Sequence, residues 1–163
     1  MHDQMRMLWE DHIAWPRLAI VTFADESPGF PATAGRLLRN QSDIGDAIAP
    51  FYGEAAGHQL TALLHDHITI AVEVLGAAKA GDIAGLEAAS TRWYANGNDI
   101  ADFLARANPR SWPVDVMRAD MRSHLDQTLA EAAAELHRPV PVADPLSSRP
   151  HLRERGRRDR VVA

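Results

Sequence analysis

The chain has no cysteine among its 163 residues. This excludes disulfides, thiolate metal sites and cysteine nucleophiles. It also has no run of about 18 consecutive apolar residues, the length that a membrane-spanning helix requires. The first residues do not show the basic segment followed by an apolar segment that marks a secretory leader. We therefore expect a cytoplasmic protein with no membrane partner.

Basic residues are scarce over most of the chain. Residues 1–137 carry 10 Lys and Arg against 19 Asp and Glu, whereas residues 138–163 carry seven Arg against three acidic residues. Nucleic-acid binding needs clustered cations that neutralise phosphates. An acidic body of this kind predicts no nucleic-acid partner.

Apolar residues recur every three to four positions in five segments, which is the period of an amphipathic helix. The predicted helices cover about residues 3–23, 32–48, 54–80 and 83–107, with a fifth from Pro113 to about residue 136. Pro16 should bend or interrupt the first helix, because its ring clashes with the carbonyl of His12. The predicted fold is all-α, with antiparallel helical hairpins in a bundle of five helices over residues 1–137. The arginine- and proline-rich tail, residues 138–163, should be disordered.

Histidines recur at nearly equal intervals on the apolar faces of these helices. His12, His67 and His124 are separated by 55 and 57 residues. Asn40 follows His12 by 28 residues and Asn96 follows His67 by 29, each beginning an Asn-x-x-Asp-Ile string. A fixed period of this length predicts a repeated helical hairpin.

The repeat should bring its polar residues together inside the bundle. Buried histidines need partners, because each unsatisfied polar group costs about 1–3 kcal/mol. One interpretation is a hydrogen-bond network of histidine with asparagine or aspartate that fixes the hairpin register. The other is a metal site that uses imidazole nitrogens and a carboxylate, a ligand set suited to Zn, Mn or Fe. The candidate metal-site residues are His12, His67, His124, Asp99, Asp43, Asn40 and Asn96. His65 lies on the other side of its helix and is predicted to be solvated.

Several short strings resemble those of a family of small bacterial helical proteins. They are Leu8-Trp9-Glu10-Asp11-His12, Arg36-Leu37-Leu38-Arg39-Asn40, Pro50-Phe51-Tyr52-Gly53, Trp93-Tyr94-Ala95-Asn96 and Ala107-Asn108-Pro109. The resemblance covers roughly residues 7–136. It implies a helical-hairpin repeat with a sixth helix that carries another histidine, which this chain replaces by its arginine- and proline-rich tail.

Three functions are compatible with the sequence. The first is a metal-binding bundle, the second a non-catalytic structural or interaction scaffold, and the third a transferase, since some of the similar proteins have transferase or kinase names. The sequence has no P-loop and no glycine-rich strand-turn-helix nucleotide site. Without a sixth helix, the fifth should expose part of its apolar stripe, which predicts a homo-oligomer.

Overall fold

The computed structural model describes residues 2–138, and within them every regular element is a helix. The helices are α1 (His2–Ala24), α2 (Phe30–Tyr52), α3 (Glu54–Ala80), α4 (Ile83–Ala107) and α5 (Val114–Leu136). The all-α prediction with five helices is confirmed. The predicted disordered tail lies outside the described residues from position 139 onward.

The helix boundaries predicted for α3 and α4 agree with the structure, because capping residues mark them in the sequence. Gly81 ends α3 in the left-handed conformation, at φ 69°. Asp82 then caps α4 by accepting a hydrogen bond from the Gly85 backbone nitrogen at 3.0 Å. Glycine tolerates a positive φ and aspartate is a preferred N-cap, so each residue has the chemistry that its position requires.

The interruption that Pro16 was expected to cause is absent, because α1 runs continuously through Pro16. α2 also extends beyond its predicted end near residue 48, through Pro50 to Tyr52. A proline inside a helix removes one backbone hydrogen bond but need not end the helix when packing holds both sides. Ala19 and Ile20, which follow Pro16, are buried and hold the second half of α1 in place.

Consecutive helices pack against each other, whereas α5 lies mainly on α4 and contacts α1 and α3 only lightly. The largest group of buried apolar side chains joins α2, α3 and α4. Its members are Ile44, Ile48, Leu60, Leu64, Ile100 and Phe103. This core places α3 at the centre of the bundle, with its histidine facing α4.

Two glycines let α2 and α3 approach at their crossing. A Cβ atom on Gly45 would lie 2.7 Å from the Gly57 carbonyl oxygen, and one on Gly57 would lie 2.8 Å from the Gly45 oxygen. Both distances are shorter than van der Waals contact. The crossing therefore requires glycine on both helices.

α3 is long and apolar enough to cross a membrane by length and composition alone. The same test is passed by core helices of soluble proteins, and α3 lies between α2 and α4 in this fold. The cytoplasmic location and the absence of a membrane partner stay predictions.

Candidate histidine site

The three repeated histidines lie side by side, although they come from α1, α3 and α5. The ring centroids of His12 and His124 are 6.2 Å apart, and those of His67 and His124 are 6.4 Å apart. His12 and His67 are 6% and 3% exposed, whereas His124 is partly exposed to solvent. The structure thus brings together the three histidines of the candidate site, with His124 at its solvent side.

In the second hairpin, α3 and α4, Asn96 fixes the orientation of His67. The Asn96 side-chain nitrogen Nδ2 donates to the Leu63 carbonyl at 3.1 Å, so its oxygen Oδ1 faces the ring. That oxygen lies 2.7 Å from His67 Nδ1 and accepts its hydrogen. A neutral imidazole carries one proton, so the lone pair of His67 is on Nε2.

The first hairpin, α1 and α2, shares only half of this arrangement. Asn40 Nδ2 donates to the Leu8 carbonyl at 3.1 Å, and Leu8, like Leu63, lies four residues before the histidine. The Asn40 oxygen, however, accepts from Gln41 Nε2 at 3.3 Å. His12 Nδ1 is buried and has no hydrogen-bond partner among the described residues.

Both buried histidines are neutral at physiological pH. Burial, reinforced by His124, lowers the pKa of His12 to about 4, although the neighbouring Asn40 and Gln41 side chains oppose the shift. Burial also lowers the pKa of His67 to about 4, although the hydrogen bond that His67 donates to Asn96 opposes the shift. The pKa of His124 is lowered by burial as well. Desolvation disfavours the charged imidazolium, so the site presents neutral imidazoles, each with one nitrogen lone pair.

The histidines form the polar part of a cavity of about 60 Å³, large enough for a few water molecules. In the part of the chain that the structure describes, the rest of the wall is almost entirely apolar, with Thr128 as its other polar residue and no charged side chain. An apolar cavity with a few polar groups and perturbed pKa values is the usual form of a small-ligand site.

The predicted carboxylate ligands do not join the histidines. Asp43 is exposed and pairs with Arg36, whose Nη1 lies 3.6 Å from its carboxylate, and Asp99 is also exposed. Across residues 2–138, no group of three or more His, Asp or Glu side chains is arranged to hold a metal ion as it stands. The expectation that the Asn-x-x-Asp pair turns both side chains toward the histidine was wrong, because the aspartate lies about 60° to one side of the asparagine and the buried face extends to the other side, toward Leu37 and Trp93. Asn40 and Asn96 are buried, and the aspartates fall outside the buried face.

The sequence did not indicate the roles of Gln41 and Trp93, and its prediction for His65 was wrong. Gln41 is fully buried beside Asn40, and Trp93 stacks on His67 at 5.2 Å while its Nε1 donates to the His67 carbonyl. His65, predicted to be solvated, is half-buried and lies 3.0 Å from the Leu38 carbonyl and 3.1 Å from Ser42 Oγ. The position of Trp93, three residues before Asn96, was the one available signal, because residues three apart share a helix face.

Comparison with known proteins adds no relative. No family model, no curated protein and no solved structure matches this chain.

Proposed function

We propose that this chain is a metal-binding helical bundle that holds a transition-metal ion through the imidazoles of His12, His67 and His124. The observation that carries the proposal is the meeting of three imidazoles from three separate helices in one cavity. The neutral imidazole is the form that binds metals, and the two buried histidines are neutral.

The Asn96 contact supports this role. A metal-binding histidine usually donates its second ring N–H to a neighbouring oxygen, which fixes the ring and its tautomer. His67 does so through Nδ1, and Nε2 keeps the lone pair that a metal would use. Among residues 2–138, His12 Nδ1 has no such partner, so no hydrogen bond at Nδ1 fixes which ring nitrogen of His12 would bind the metal.

The ring spacing sets how far the site must close. With metal–nitrogen bonds of about 2.0–2.1 Å, the ring centroids of two ligands lie roughly 5 Å apart. The observed separations of 6.2 and 6.4 Å exceed this by about 1 Å. Metal binding would therefore require the His124 ring to move inward by about this distance, while Leu125 holds α5 against α4.

The ligand set narrows the choice of metal. Mn prefers carboxylates and other oxygen ligands, while imidazole suits Zn and Fe. Because Asp43 and Asp99 lie outside the site, Zn and Fe(II) fit better than Mn.

The test is metal binding by the purified protein. We expect elemental analysis and calorimetric titration with Zn to give about one ion per chain, and His67→Gln to weaken binding at least tenfold. His58→Gln is the matched control, since His58 is an exposed residue of the same helix. Circular dichroism should show that both variants fold. Absence of Zn and Fe(II) binding in the wild type, or equal losses in the two variants, would refute the proposal.

A second candidate is a non-catalytic interaction protein. α1 carries two apolar side chains that face solvent four residues apart and so on one side of the helix, Trp9 at 40% and Ile13 at 70% exposure. Large exposed apolar residues on one helix favour a contact surface. Sedimentation of Ile13→Asp should show a smaller oligomer than the wild type if this surface mediates self-association.

A further inference from the structure

Beyond the three histidines, the same cavity continues into an apolar part whose side chains could not bind a metal. Side chains from α1, α2, α3 and α5 line it, among them Ile20, Leu37, Ile68, Leu75 and Leu129. Native interiors normally fill such space with side chains. An apolar cavity that ends at polar groups is suited to a small organic molecule.

The chemistry of the wall restricts what could bind there. No charged side chain among residues 2–138 lines the cavity, so within this part of the chain a charged ligand would lose its hydration without an ion-pair partner. At the histidine end the His67 ring offers an acceptor nitrogen, Nε2, because its one proton is committed to Asn96. Thr128 also uses its hydroxyl hydrogen, which it donates to the His124 carbonyl at 2.9 Å.

We propose that the cavity binds a small uncharged apolar molecule with one N–H or O–H group that donates to an imidazole nitrogen. The donor would occupy the histidine end, and the apolar remainder would lie between α1, α2, α3 and α5. An engineered cavity of about 150 Å³ holds benzene. The smaller volume here, about 60 Å³, selects molecules of a few non-hydrogen atoms that extend toward the cavity mouth.

The experiment compares pyrrole with furan in metal-free protein that contains a chelator. The two five-membered rings have nearly the same size and shape, but only pyrrole carries an N–H donor. Trp93 provides the signal, because its indole stacks on His67 and lines the cavity. We expect pyrrole to shift the Trp93 indole resonance with a dissociation constant in the millimolar range and at least tenfold lower than that of furan. Equal affinities would overturn the donor assignment, and no binding of either would overturn the ligand site.

Two methionine variants locate the binding. Ala71→Met places a longer side chain in the cavity wall and should abolish binding of pyrrole, whereas Ala62→Met adds the same side chain at an exposed position of α3 and should not. Pyrrole binding that survives Ala71→Met would place the ligand elsewhere and refute the proposal. If Ala71→Met does not fold, the pyrrole and furan comparison in the wild type still decides. Because no metal is present, this result is independent of the Zn titration, and either proposal can fail alone.

Discussion

The two complete hairpins use the same asparagine contact but leave their histidines in different states. In both, the asparagine nitrogen donates to the carbonyl four residues before the histidine, at 3.1 Å. In the second hairpin the asparagine oxygen then holds His67 Nδ1, while in the first it is taken by Gln41. Gly97 occupies the position after Asn96 and offers no side chain that could compete. The residue after the asparagine, Gln41 in the first hairpin and Gly97 in the second, is therefore a difference between the hairpins at this contact.

Gly97 also has a packing role that Gln41 does not. A Cβ atom at position 97 would lie 2.9 Å from Leu125 Cδ1 and 3.1 Å from Met121 Cγ, both on α5. The glycine makes room for α5 against the second hairpin. The hairpin that lies against α5 thus gains a fixed histidine and a close helix contact from the same small residue.

The largest expected effect is acid destabilisation shared by both hairpins. The pKa of a histidine is 6.5 in the unfolded chain, whereas the pKa values of the folded His12 and His67 are about 4. Well above pH 6.5 both histidines are neutral in the folded and the unfolded chain, so they do not reduce the free energy of unfolding. As pH falls from 6.5 to 4, the unfolded chain binds protons that the folded chain does not, and the free energy of unfolding drops by up to roughly 3 kcal/mol per histidine. Below pH 4 these groups cause no further loss.

Urea unfolding at pH 7.5 and 4.5 in chelator checks this expectation. Replacement of either buried histidine by glutamine should reduce the difference between the two pH values, and His58→Gln should not. A free energy of unfolding that is the same at both pH values would show that the buried histidines do not control acid stability.

The next effect separates the hairpins. Asn96→Ala leaves the buried His67 Nδ1 without a partner, while the Leu63 carbonyl keeps its helical bond from the His67 backbone N–H, so the loss should be about 1–3 kcal/mol. Asn40→Ala leaves the Leu8 carbonyl with its helical bond from the His12 backbone N–H, and Gln41 keeps its bond to the Leu37 carbonyl at 2.9 Å, so the loss should be about 1 kcal/mol. Urea unfolding at pH 7.5 measures both. If the two losses are equal, the His67 contact adds nothing to stability.

These contacts also mark how far sequence reasoning reached. The spacing of apolar residues predicted the helices, and the histidine period placed three histidines in one site, because the first signal is local and the second repeats along the chain. The hydrogen bonding of each histidine Nδ1 was not predicted, because the residue after the asparagine is not part of the repeat. It is Gln41 in the first hairpin and Gly97 in the second. The aspartates were misplaced for a related reason, since a shared string does not specify which of its residues faces inward.

Glycine substitutions distinguish the helix crossings. Gly45→Ala would press a methyl group against the Gly57 backbone oxygen and should cost about 1–3 kcal/mol. Gly97→Ala meets only side-chain atoms of Leu125 and Met121, which can shift, so we expect a loss of about 1 kcal/mol or less. Gly76→Ala, a helical position with no neighbour within 4 Å, should stabilise by roughly 0.5–1 kcal/mol. Thermal or urea unfolding measures the three variants. A larger loss of stability in Gly97→Ala than in Gly45→Ala would contradict the assignment of the tighter crossing to α2 and α3.

The smallest effect on stability is expected from Gln41→Met, which is also the most direct test of why the hairpins differ. Methionine keeps the volume of the side chain but has no amide. The substitution loses the bond to the Leu37 carbonyl and removes the buried Gln41 Oε1, which has no partner among the described residues. These effects oppose each other, so the free energy of unfolding should change by less than about 1 kcal/mol.

In Gln41→Met the Asn40 oxygen becomes available to His12, whose ring it already adjoins. Nitrogen NMR should show His12 changing to a proton fixed on Nδ1, as in His67, while Gln127→Met, at an exposed glutamine of α5, leaves the His12 signals unchanged. A His12 ring that stays without a bonded Nδ1 proton in Gln41→Met would show that something other than Gln41 keeps the first hairpin from adopting the arrangement of the second.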